Sequence, residues 1–374
     1  MEVYLSKDRV QLLLLRIRQG CRLDRSRLPD PTASFSPEVN TDTFYAVVRL
    51  GYEVTCFAVN VAPLRRSVAQ VVWITSMAAT FSAISLSAQT SRQGLLSLEN
   101  GRIFYEIIGS GSPIVVIHGG PGLDHNYLQP GLDILASRNT LVYYDQRGTG
   151  RSEATLAPDV ISLDTFVDDV DVLRQTLEYE KITLLSHSFG ALIALGYASK
   201  YPLNVNGLVL MNPVEPGKRF SGATATRQSA AQSVQDVTEV EKLMASEGFR
   251  AQDPATVSQV YRASFRSMFR DRDLVDELEL NLSVRTAQNG QEVARLLGED
   301  LDTIDWWGQL PEIKVPTLIV HGRYDIPPVA MSRALADTLP LGSLAVLESG
   351  HFSYIEDQVG LASTLAKFLA ELPR

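Results

Sequence analysis

Beyond residue 90 the chain is patterned as short apolar runs separated by amphipathic stretches. PIVVIHG (113–119), TLVYYD (140–145), KITLLSHS (181–188), VNGLVLMN (205–212), PTLIVHG (316–322) and SLAVLES (343–349) are nearly continuous in apolar residues. A run without alternation buries both faces of a strand, the habit of parallel strands covered by helices on either side. The intervening segments 163–178, 189–200, 329–338 and 357–371 have helical spacing. Ahead of the series, LLSLE and RIFYEII flank Asn100-Gly101, a hairpin signal because Asn-Gly accepts the positive φ of a type I′ turn. The pattern predicts an α/β fold, a mostly parallel sheet with helices on both faces.

The alternation breaks once. From Val214 to Asp305 no β-like run occurs, and Ser-, Ala-, Gln- and charge-rich text such as VSQVYRASFRSMF keeps helical spacing. Residues 214–305 therefore read as a helical lid inserted into a core formed by 91–213 and 306–374. Residues 1–90 form a separate extension. Its first 88 residues hold ten Lys/Arg against seven Asp/Glu, while the remainder holds 24 against 36.

Inside the extension, Arg65 and Arg66 precede 25 positions without a charge (67–91), and the apolar stretch ends in Ser-Leu-Ser-Ala at Ala88. Positive residues, an apolar run and then small residues are the order of a secretory signal, here about 64–88, and they predict export to a periplasmic or extracellular location. An uncleaved membrane anchor competes with this reading, since about 20 apolar residues span a bilayer, and so does a buried core helix. Residues 1–60 show no sustained periodicity, which points to a true start near Val61 or Leu64.

Both cysteines, Cys21 and Cys56, fall in the extension, so neither a disulfide framework nor a cysteine zinc site is expected in the main domain. The net charge of −9 offers no basic field for a nucleic acid. No cofactor or metal is called for.

Chemistry gathers at strand ends, where open α/β sheets place their ligands. Ser186-His187-Ser188-Phe189-Gly190 lies where a predicted strand turns directly into a helix. Such a turn forces its central residue into a strained conformation and requires small neighbours two positions away on each side. Ser186 and Gly190 are small, so Ser188 is the candidate nucleophile and His187 a turn or packing residue. A serine hydroxyl needs a base, and the base an orienting carboxylate. His351 follows one downstream strand and Asp325 another; Asp302 and Asp305 follow none. An oxyanion needs two fixed N–H donors reachable only where side chains are absent. His118-Gly119-Gly120-Pro121-Gly122 supplies one from Gly120, or else Gly119, and the elbow supplies Phe189. The loop lacks the spacings of dinucleotide and P-loop motifs, as does Gly148-Thr149-Gly150.

HGGPG, DQRGTGRS (145–152), the serine elbow and the Asp and His at later strand ends together resemble the α/β-hydrolase superfamily, and within it the proline iminopeptidases. The likeness covers about residues 94–374. It implies a Ser188-His351-Asp325 triad in the α/β-hydrolase fold, an oxyanion loop with Gly120 as donor, structural roles for Asp145, Arg147 and Ser152, and a small peptide substrate. An exopeptidase must also hold a substrate ammonium with a carboxylate, for which Glu215 is the candidate. The elbow has Ser186 and Phe189 where iminopeptidases often have Gly and Trp or Tyr. A carboxylesterase or lactonase acting on an ester stays open on the same scaffold, as does a non-catalytic hydrolase-like binding protein.

Overall fold

A computed structural model describes residues 43–50, 53–60 and 91–373, which belong to two units, Met1–Ser87 and Ala88–Arg374. In the first unit β1 (Thr43–Leu50) and β2 (Glu53–Asn60) pair antiparallel in a hairpin, an element the aperiodic text of residues 1–60 did not announce. The signal-like stretch 64–88 lies outside the described residues. Among those described, no helix is long and apolar enough to cross a membrane.

The second unit is built on nine strands: β3 (Arg92–Leu98), β4 (Gly101–Gly109), β5 (Ser112–Ile117), β6 (Asn139–Tyr144), β7 (Glu153–Ala154), β8 (Ile182–His187), β9 (Val205–Met211), β10 (Thr317–Gly322) and β11 (Gly342–Leu347). Their order is β11-β10-β9-β8-β5-β6-β4-β3, with β7 beside β4. Every pair from β11 across to β6 is parallel, and β3, β4 and β7 add an antiparallel flank.

The apolar runs are explained by burial on two sides. In β5, Val115 and Ile117 enter one hydrophobic cluster while Ile114 and Val116 enter the other. In β9, Leu208 and Leu210 face the first, Val209 and Met211 the second. α1 (Leu163–Thr176), α2 (Gly190–Lys200) and α7 (Val329–Thr338) pack on the first face; α8 (Gln358–Glu371) covers the second. Each fully buried aliphatic side chain contributes about 1.5–3 kcal/mol, so strand register is held firmly from both sides.

α1 begins at a capping box in which Ser162 Oγ accepts from the Thr165 N–H and Thr165 Oγ1 accepts from the Ser162 N–H. The β3–β4 hairpin differs from its expected form. Its loop residues are Glu99 and Asn100, neither has a positive φ, and Gly101 is already paired with Leu98 and Ala154. A Cβ at Gly101 would strike the Glu153 carbonyl, so this glycine serves the β7 contact and not a type I′ turn.

Between β9 and β10 the described chain has no strand. It runs through α3 (Ser221–Ala231), α4 (Val234–Met244), α5 (Pro254–Phe265) and α6 (Val284–Thr303). α6 docks on the core through Thr286, whose hydroxyl donates to Asp124 Oδ2 at 2.7 Å and accepts from the Gly150 N–H at 2.8 Å. Gly290 of the same helix meets Gly122 backbone to backbone; a Cβ on either would run into the other's carbonyl.

Candidate active site

β8 becomes α2 with only Ser188 and Phe189 between them, and Ser188 takes φ 54°, a left-handed conformation costly for any residue with a Cβ. The turn is held because the Ser188 N–H donates to the Met211 carbonyl at 3.0 Å. A Cβ at Gly190 would lie 2.6 Å from the Ile117 carbonyl oxygen, which explains the glycine. Ser186, small but not glycine, is accommodated by donating its hydroxyl to the Val209 carbonyl at 3.1 Å. Ser188 is partly exposed, and its Oγ has no hydrogen-bond partner among the described residues.

Asp325 follows β10 and His351 follows β11, and the structure brings them together: His351 Nδ1 lies 3.0 Å from both Asp325 Oδ1 and Oδ2. Both side chains are buried. Burial alone would raise the Asp325 carboxyl, but the charge and hydrogen bond of His351 outweigh it and hold the group below its ordinary value. The carboxylate accepts the Nδ1–H, and this bond leaves Nε2 as the ring nitrogen free of Asp325. The His351 N–H donates to the Met268 carbonyl at 2.8 Å, so the insertion steadies the histidine's main chain.

Two further residues brace the acid, and neither stood out in the sequence. Asn212 sits at the end of β9 with φ 48°, fully buried. Its Nδ2 donates to Asp325 Oδ2 at 2.9 Å and to the Gly350 carbonyl at 3.0 Å, while its Oδ1 accepts from the Ser353 hydroxyl at 2.8 Å. Arg227 of α3 donates to the carbonyls of Asp325 at 2.6 Å and Ile326 at 2.9 Å. An asparagine directly after an apolar run was the available signal for the first; an arginine in a polar helix carries none.

In the HGGPG loop, His118 is fully buried and its pKa is lowered, chiefly by that burial. Nε2 of the neutral ring accepts from the Gln146 N–H at 3.0 Å, so Nδ1 carries the proton and donates to the Gly119 carbonyl at 2.8 Å. In a trans peptide the carbonyl and the following N–H point in opposite directions, so the Gly120 N–H faces away from His118. The Gly119 N–H donates to the Tyr127 hydroxyl at 2.7 Å and is already engaged. No described group occupies the Gly120 or Phe189 amide.

Glu215 lies three residues past Asn212, and the preceding Val214 N–H reaches the Ser188 carbonyl at 3.4 Å. Its Oε2 accepts from the Phe220 N–H at 2.8 Å, and burial raises its pKa. Asp145 accepts from the His125 ring at 2.6 Å and the Arg151 N–H at 2.7 Å, Arg147 pairs with Asp169 through two bonds of 2.6 and 2.7 Å, and Ser152 donates to the Asp145 carbonyl at 2.6 Å. Asp145 and Ser152 thus brace the segment after β6, and Arg147 ties it to α1. Asp302 and Asp305 are exposed.

A family model described as the alpha/beta hydrolase fold matches residues 112–358. The chain belongs to that family. This alpha/beta hydrolase is similar to a proline iminopeptidase from Heyndrickxia coagulans, 25% identical over 286 residues that cover 74% of this chain and 98% of the relative. Its fold is also that of a proline iminopeptidase from Mycobacterium smegmatis, with a TM-score of 0.57 at 20% identity over 75% and 98% of the two chains. An esterase from Exiguobacterium antarcticum matches at a TM-score of 0.55 and 24% identity, over 74% and 98%. In this alpha/beta hydrolase the strained serine, the histidine–carboxylate pair and the glycine loop all issue from the carboxyl ends of parallel strands, the edge at which such sheets bind ligands.

Proposed function

We propose that the protein is a serine hydrolase that works through an acyl-enzyme, with Ser188 as nucleophile, His351 as base and Asp325 as its orienting carboxylate. The observation that carries this reading is Ser188 held at φ 54° on a strand-to-helix turn, at the sheet edge that also presents the 3.0 Å His351–Asp325 contact. His351 Nε2 takes the Ser188 proton as Oγ attacks a substrate carbonyl. The resulting oxyanion is met by the N–H groups of Gly120 and Phe189, and the leaving group departs with the proton from His351. Water, deprotonated by the same nitrogen, then releases the acid and restores the serine. A protonated imidazole cannot perform the first step, so activity falls on acidification.

Within that chemistry the reading is an aminopeptidase that releases N-terminal residues such as proline. The relative from Heyndrickxia coagulans and the HGGPG loop support it. Glu215, directly after the Val214 amide that approaches the elbow, is the carboxylate proposed to hold the substrate ammonium.

An acyl esterase is the second reading, favoured by the Ser186 and Phe189 elbow and by the Phe220 N–H that already occupies one Glu215 oxygen. A panel of proline arylamide, its N-blocked form and a short acyl ester separates the two. The aminopeptidase cleaves the free-amine substrate, loses it on blocking, and shows a KM raised about tenfold in Glu215→Gln with ester turnover unchanged, the scale of one charged hydrogen bond; an esterase is indifferent to both changes. Fluorophosphonate labelling abolished by Ser188→Ala supports the nucleophile, and labelling that survives it removes Ser188 from the role. We also propose export through the 64–88 segment, which N-terminal sequencing of the secreted chain tests.

A further inference from the structure

His187, between the two serines of the elbow, is buried among the rings of Tyr127, His351, Phe352 and Tyr354, with centroids 5.6, 4.9, 5.7 and 5.7 Å away. A residue that only filled this space would be apolar, because hiding two ring nitrogens is costly unless both are bonded. Both are bonded. Nε2 lies 3.1 Å from the His351 carbonyl oxygen and Nδ1 2.9 Å from the Tyr127 hydroxyl, which also receives the Gly119 N–H at 2.7 Å.

The protons have one consistent placement. A carbonyl oxygen cannot donate, so Nε2 carries the hydrogen. Burial pushes the pKa of His187 down to about 3, so the ring is neutral, Nδ1 is bare and Tyr127 must donate to it. The lone pairs of Tyr127 then accept from Gly119. The result is a directional chain from the glycine loop after β5, through Tyr127, to the elbow after β8 and the main chain of His351 after β11.

We propose that Tyr127 and His187 are positioning residues that fix the glycine loop and the His351 main chain against Ser188. This rests on the reading of Ser188 as nucleophile. Two strands, β9 and β10, separate β8 from β11 in the sheet. The His187 bond joins the elbow to the His351 main chain across those two strands, beside the holds that Met268 and Asn212 give the same loop. Neither positioning residue needs to touch substrate.

The test uses the full chain and Tyr127→Phe, His187→Leu, His187→Gln and the Tyr127→Phe/His187→Leu double variant. Each is measured for kcat and KM on the best substrate, for inhibition by a trifluoromethyl ketone that forms a tetrahedral adduct, and for Tm, with sites counted by fluorophosphonate titration. Misplacement of reacting groups by about 1 Å costs about a hundredfold. Tyr127→Phe should therefore lower kcat about 10- to 100-fold with KM within about twofold, and weaken the ketone in parallel. His187→Gln, which keeps a donor and an acceptor, should recover much of what His187→Leu loses, and the double variant should be no worse than the poorer single one. A lower Tm with kcat per titrated site unchanged in Tyr127→Phe, or losses that multiply in the double variant, overturns the relay. Failure of the unaltered chain to label at Ser188 instead removes the nucleophile reading, and the relay with it.

Discussion

Asn212 holds three groups of the loops bearing Asp325 and His351 at once from a left-handed backbone position. Asparagine tolerates that conformation better than most residues because its short amide can bond locally. Asn212→Ala leaves the Asp325 carboxylate and the Gly350 carbonyl each short of a buried donor, at about 1–3 kcal/mol per group. The expected outcome is a loss of about 3 kcal/mol in urea unfolding, together with a kcat lowered about tenfold; an unchanged kcat would show that Asp325 is placed without it. Ser188, Asp325 and His351 each follow an apolar run whose end is visible in the text, so their place at one sheet edge could be read before any coordinates. Asn212 follows such a run too, but its amide acts only through neighbours that lie more than a hundred residues away in sequence.

At the scale of elements, the parallel strands were legible because burial on both faces leaves few polar positions inside them. The β3–β4 turn was misread because a local dipeptide rule was overridden by β7, which crowds Gly101 from outside the hairpin. The insertion is steadied by Asp236 in the first turn of α4. Burial would raise this carboxyl, but hydrogen bonds from Arg272 and Ser233 bring it down to about 2. With an unfolded value near 4, its contribution to stability is complete above about pH 4 and is lost as the pH falls through about 2. Asp236→Asn should therefore lower the thermal midpoint at pH 7, and the gap from the parent should close between about pH 4 and pH 2. A gap that stays constant over this range would mean that Asp236 does not act through its charge.

On the scale of the whole molecule, both hydrophobic clusters, all nine strands of the main sheet and every candidate site residue belong to the unit Ala88–Arg374. A chain beginning at residue 89 should fold with the thermal midpoint and turnover of the full-length protein, measured side by side by calorimetry and with the same substrate. A clear loss of either would assign the first 88 residues a part in the fold. Their composition is net basic against an acidic remainder, but it carries no sign of the β1–β2 hairpin, since two eight-residue stretches of mixed pattern look the same in or out of a sheet.

The backbone meeting of Gly122 and Gly290 bears on how this scaffold can diversify. With no side chain to trim or rotate at that seam, variation there has nowhere to go, and both positions should stay glycine in any library that retains activity. α3 is the opposite case, since none of its eleven residues is buried. Substitutions should therefore be tolerated along α3 and refused at the seam, apart from Arg227 and Gln228, whose bonds to the Asp325 and Ile326 carbonyls and to Ser267 tie that helix down.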